Sequence, residues 1–164
     1  MTATQPTRKD IAEFFRLGLL AGVCDLSAVV RWSDSVIMSE PSPPFAFFDL
    51  SICESQPLSA ALGFLTEVPD PLTPDLPVYM LLGHCYRLAQ SGTLALTDTL
   101  VRLHRMARSE YFPEPVDSTL RNLDEDFYLA HNEIHGTVAG VGQKFTDYLS
   151  RFEPYAPDIS TRNA

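Results

Sequence analysis

The chain is expected to fold as an all-α bundle of six to seven helices with proline-rich connectors, and at most a minor β segment near residues 46–53. Three observations carry that expectation. Apolar residues recur at the helical period through most of the 164 residues. The thirteen prolines cluster between the periodic stretches, where they cannot break a hydrogen-bonded turn. A composition of 45% hydrophobic and 20% charged residues suits one globular domain, residues 1–157, followed by a short frayed tail, 158–164.

Taken in order, Ile11, Phe14, Phe15 and Leu19 form the apolar stripe of a first helix, and Gly22 stands where it should stop. Asp25 is placed to cap a second helix with Leu26, Val29, Val30 and Ile37 along one stripe and Trp32 beside it, ending before Pro41. Residues 40–45, Glu-Pro-Ser-Pro-Pro-Phe, exclude a helix. The aromatic and β-branched stretch Ala46 to Cys53 suits a short extended segment or an irregular apolar loop. Pro57 opens a third helix through Leu58, Ala61, Leu62 and Leu65, and Pro69, Pro71, Pro74 and Pro77 stiffen the connector after it. A fourth helix carries Val78, Leu81, Leu82 and Cys85, with Gly92 beyond its end. Leu96, Leu100, Leu103 and Ala107 mark a fifth, closed by Pro113 and Pro115. The sixth begins near Asp117 or Ser118 and carries Leu120, Leu123, Phe127 and Ile134. The seventh uses Val138, Val141, Phe145, Leu149 and Phe152. Gly136, Gly140 and Gly142 weaken that junction by about 1 kcal/mol each relative to alanine, as a kink or a close crossing would require.

The charge balance narrows the function. Twelve Lys and Arg against twenty-one Asp and Glu leave a net charge of −9, the wrong sign for nucleic acid or for an anionic membrane surface. The polar residues up to Asp10 lack the apolar core of a signal peptide, and the uncharged run Leu17 to Cys24 is too short to span a bilayer, so a cytoplasmic location is expected. Cys24, Cys53 and Cys85 cannot all pair and have no zinc-site spacing; they read as small buried hydrophobes in a reducing compartment.

The acids are grouped rather than spread. From Pro41 to Gly83 stand Asp49, Glu54, Glu67, Asp70 and Asp75, with no Lys or Arg. From Glu110 to Gly136 there are seven acids against Arg121 alone, while the fifth helix carries Arg102, Arg105 and Arg108. Such blocks serve either as solvated faces, with the arginine-rich helix neutralising its acidic neighbour, or as a docking surface for a cationic protein. On the second reading the contacts are Asp117, Asp124, Glu125, Asp126 and Tyr128, with Asp70 and Asp75 as a second patch and aromatic residues as anchors.

Chemistry has one candidate, His131-Asn132-Glu133-Ile134-His135. Histidines at i and i+4 can share a metal, and on a helical wheel Asp124, Tyr128, His131 and His135 fall on one bundle-facing side. Glu133 lies about 160° from His131, so the zinc-hydrolase arrangement of a base beside the first histidine is not met. His131 also falls in the apolar stripe between Phe127 and Ile134, where a satisfied core histidine is the commoner outcome. No Gly-x-Ser-x-Gly elbow and no glycine-rich phosphate loop occurs in the sequence, and no cofactor is implied.

Leu17-Gly18-Leu19-Leu20, Asp25, Val29 to Ile37 with Trp32-Ser33-Asp34, and then Phe48-Asp49-Leu50-Ser51 together resemble the N-terminal pattern of small helical immunity proteins from bacterial polymorphic-toxin systems. The likeness covers about a third of the chain, and Ser33 stands where alanine is common. It implies a non-enzymatic cytoplasmic protein that occludes a cognate toxin, often a basic nuclease. The alternatives are a structural or assembly subunit of a bacterial complex, or a metal-dependent enzyme using His131 and His135.

Overall fold

The computed structural model describes residues 5–159, so most of the tail expected to fray, 160–164, lies outside the described residues. The described chain is all-α: α1 Arg8–Ala21, α2 Leu26–Ser39, α3 Ala46–Ser51, α4 Leu58–Glu67, α5 Leu76–Gln90, α6 Leu96–Met106, α7 Glu114–His131 and α8 Val138–Ser150. Short 3-10 turns at Cys53–Ser55 and Glu153–Tyr155 complete it, and no strand occurs among the described residues. The described residues divide into two compact units, one of residues 5–77 together with Asp158 and Ile159, the other Val78–Pro157.

The one element that departs from the sequence expectation in kind is α3. The segment near 46–53, expected to be extended or irregular, is helical. Its composition favours a strand, but Ala46, Phe47, Leu50 and Cys53 fall on one side of a helix and are all buried there. Pro44 supplies the first acceptor, taking a hydrogen bond from the Phe47 N–H at 3.0 Å. Burial against neighbouring helices outweighs a propensity difference of under about 1 kcal/mol per residue. This adds an eighth helix to the expected six or seven. The start of α7 also moves forward, to Glu114, because Pro115 stands in the first turn, where its missing N–H leaves no intrahelical bond unmade.

The N-terminal unit is held by an aromatic run. The rings of Phe14 and Phe15 stand 5.2 Å apart, Phe15 and Trp32 5.4 Å, and Trp32 and Phe47 5.1 Å, linking α1, α2 and α3. Ala61 and Leu65 bring in α4. Gly22 ends α1 in the left-handed conformation at φ 72°, and Asp25 caps α2 by accepting from the Ala28 N–H at 2.8 Å.

A polar clasp secures the start of α1. Thr7 and Asp10 form a reciprocal capping box. Asp10 is fully buried, and its carboxylate also accepts from the Thr73 N–H at 2.7 Å and the Thr73 hydroxyl at 2.9 Å. Thr7 Oγ1 donates to the Pro71 carbonyl at 2.9 Å, and Lys9 Nζ to that of Thr66. Arg8 reaches two further acids, Glu40 Oε2 and Asp70 Oδ2, each at 2.7 Å. The proline-rich connector is therefore fastened to the helix that begins about 60 residues earlier.

In the C-terminal unit, α6, α7 and α8 pack on one another through Leu100, Leu103, Leu120, Leu123, Val141, Phe145 and Leu149, all buried. The segment after α8 lies on α5: Tyr79 meets the rings of Phe152 and Tyr155, both at 5.3 Å, and Arg87 Nη1 donates to the Pro157 carbonyl at 3.2 Å. Gly83 permits this approach, since a Cβ there would collide with the Phe152 carbonyl oxygen. Of the three glycines expected to mark a kink or crossing, Gly136 makes the turn between α7 and α8 at φ 72°, and Gly142 faces Leu96 of α6.

Candidate protein-binding faces

The α7 sequence block resolves into residues with different standing. Its buried line is Val116, Leu120, Leu123 and Ala130. Asp117 accepts from Arg121 one turn along the same helix at 2.8 Å. Asp124 pairs with His104 Nδ1 of α6 at 2.8 Å, and Asp126 with Lys144 of α8 at 3.0 Å. Glu125 is exposed and forms no hydrogen bond or ion pair among the described residues. Tyr128, expected on the bundle-facing side with Asp124, is 63% exposed. It lies about 120° from the buried line and shares an outward stripe with Glu114, Arg121 and Glu125.

On the arginine-rich helix α6, His104 makes the pair with Asp124 of α7, while Arg105 and Arg108 are exposed and form no ion pair among the described residues. Asp70 and Asp75, the second expected patch, belong to the N-terminal unit. Asp70 is clasped by Arg8, whose hydrogen bonds and charge hold its carboxyl below the usual value and raise the guanidinium in turn. Asp75 is half-buried in the connector at φ 66°.

The histidine pair does not form the site its spacing suggested. Helix α7 ends at His131, and Glu133 turns the chain in the left-handed conformation at φ 57°. The N–H groups of Ile134 and His135 close on the Leu129 carbonyl, so His135 lies in a loop and the i, i+4 geometry is absent. His131 is exposed beside Phe127, their rings 5.7 Å apart, rather than a core histidine, and Ile134 is 65% exposed. Asp124, the proposed third ligand, is engaged with His104. Among the described residues no group of three or more His, Cys, Asp or Glu is arranged to hold a metal.

Cys24, Cys53 and Cys85 form no disulfide; Cys53 and Cys85 are buried and Cys24 is half-buried. Burial, with a smaller contribution from Asp25, pushes the Cys24 thiol up to about 12, which leaves it protonated and unreactive at neutral pH. No helix of the described residues is long and apolar enough to cross a membrane.

Sequence reasoning missed a second exposed feature. Helix α3 carries apolar residues on two opposite sides: across from its buried side stand Phe45, Phe48 and Ile52, and Phe45 and Ile52 are 77% and 58% exposed. Their i, i+3, i+7 spacing was legible, but only a helical assignment of 46–53 turns that spacing into a stripe.

No family model matches the chain, and no curated protein or solved structure matches it. The fold defines the class as an all-α protein.

Proposed function

We propose that the chain is a non-enzymatic binding protein that holds and neutralises a cationic protein, most concretely a cognate toxin, by covering its surface. The observation that carries this reading is the outward stripe of α7, where an exposed tyrosine stands beside a carboxylate with no partner of its own. Tyrosine supplies a large rigid contact with a polar tip, and an unneutralised acid nearby steers a basic surface toward it. The net charge of −9 extends that field over the encounter. The likeness of the N-terminal third to immunity proteins supports the same class of partner and a cytoplasmic site of action.

The test is neutralisation itself. The chain is co-produced with the protein encoded beside its gene, and cell survival and association rates are recorded for wild type, Glu125→Lys and Tyr128→Ala. Wild type is expected to protect, Glu125→Lys to slow association, and Tyr128→Ala to speed dissociation, costing about 1–2 kcal/mol. Absence of any complex, or a complex indifferent to both substitutions, overturns the reading and leaves the α7 acids as a solubilising surface of an assembly subunit.

A further inference from the structure

We infer that the outer side of α3 is a second docking surface, built for an apolar protein segment flanked by Lys or Arg. The inference stands apart from the α7 stripe, in the other unit, and does not depend on it.

Three observations lead there. Phe45, Phe48 and Ile52 form one uncovered stripe, with the rings of Phe45 and Phe48 6.3 Å apart. The fold of the unit does not account for them, because the inner side of α3 already supplies Ala46, Phe47 and Leu50 to the core. A cluster of large apolar side chains left in water marks an interaction site far more often than scattered single ones do. The stripe is also stiff. Pro43 and Pro44 lead into it, Pro44 and Phe45 accept the first helical hydrogen bonds, and Phe47 wedges against Trp32. A preformed surface loses little entropy on binding.

Charge selects the occupant. Asp49 borders the stripe and Glu54 follows it, and neither forms an ion pair among the described residues. Between residues 41 and 83 the sequence offers no Lys or Arg to balance them. A second copy of this chain docked symmetrically on the stripe would bring another Asp49 and Glu54 to a face that already carries two unpaired acids, a like-charge contact that disfavours self-pairing. An anionic lipid surface is repelled for the same reason. An apolar segment with cationic flanks satisfies both features, covering the rings while its charges meet the carboxylates.

The probe is a fluorescently labelled amphipathic peptide of leucine and lysine, with a leucine and glutamate peptide of the same pattern as its control, titrated into the full chain. The lysine peptide is expected to bind with salt-sensitive affinity, and the glutamate peptide is not. Affinity should fall at least tenfold in Phe45→Ser/Ile52→Ser, and severalfold with a weaker salt dependence in Asp49→Asn/Glu54→Gln. Trp32 fluorescence and circular dichroism check that each variant keeps its fold. Should the double serine variant unfold, amide shifts of the wild type on titration are expected to concentrate at residues 45–54. Equal binding by wild type and a folded double variant, shifts centred elsewhere, or equal binding of the two peptides overturns the inference. A concentration-dependent dimer that the serine substitutions abolish also overturns it, in favour of a second copy. None of these outcomes bears on Glu125 or Tyr128.

Discussion

The N-terminal and C-terminal units use the same side chain in opposite ways. In the first, Asp10 is buried without solvent contact, accepts from Thr7 and Thr73, and joins helix to connector, while Arg8 gathers Glu40 and Asp70 on the rim of the same clasp. In the second, Asp117 and Asp126 make water-facing pairs with Arg121 and Lys144, and Glu125 makes none. A carboxylate that has replaced its water with fixed donors becomes structural, because any change strands those donors. One that has kept its water contributes little to stability and stays available to a partner.

The sharpest way to break that contrast is Asp10→Ala. It leaves the Thr7 and Thr73 N–H groups without their acceptor and is expected to destabilise the N-terminal unit by about 3 kcal/mol, read from urea unfolding followed by the fluorescence of Trp32. A loss below about 1 kcal/mol would mean that water replaces the carboxylate, and the contrast would fail.

Next in size, Asp25→Ala removes the α2 cap and should cost about 1 kcal/mol by the same measurement. Acid then tests both paired carboxylates. Hydrogen bonds from Ser27 and Ala28 lower Asp25, and those from Arg8 lower Asp70. A group depressed in the folded state stabilises fully above its ordinary value and loses that contribution as pH falls through the depressed one. The urea midpoint should therefore drop as pH is taken below about 4, and the drop should be shallower in Asp70→Asn. An identical slope in the variant would show that the Arg8 clasp carries none of it.

The smallest effect belongs to α7. Asp126→Ala should change stability by no more than about 0.5 kcal/mol in urea unfolding followed by circular dichroism, since its lysine partner is largely in water. A loss above about 1 kcal/mol would move that acid into the structural class and weaken the case for a docking role on its side of the helix.

Much of the fold was legible because helices announce themselves locally. The stripe Phe14, Phe15 and Leu19, the stop at Gly22 and the cap at Asp25 all rest on neighbours within a few residues, and each stands as the spacing implies. The same holds for Val78, Leu81, Leu82 and Cys85 in α5 and for Leu100 and Leu103 in α6. Helix α3 was illegible for the converse reason: six residues with two adjacent phenylalanines are too short a run to show a helical period, and other helices bury one side of them. The candidate sites were read less well. A wheel drawn through to His135 assumes that the helix continues, and here it ends at His131. Tyr128 inside it faces outward because the buried line runs through Val116, Leu120, Leu123 and Ala130.

The sequence by itself determined the helical class, most of the helices and the acidic character, since periodicity, caps and charge count depend only on which residues stand near each other along the chain. Tertiary structure alone decided which acids are free to act. Asp10 meets Thr73 and Arg8 meets Asp70 across more than sixty positions, and the His104–Asp124 pair exists because α6 lies on α7. Whether a carboxylate stabilises a fold or faces a partner depends on the donors and water around it, and chain folding sets that environment.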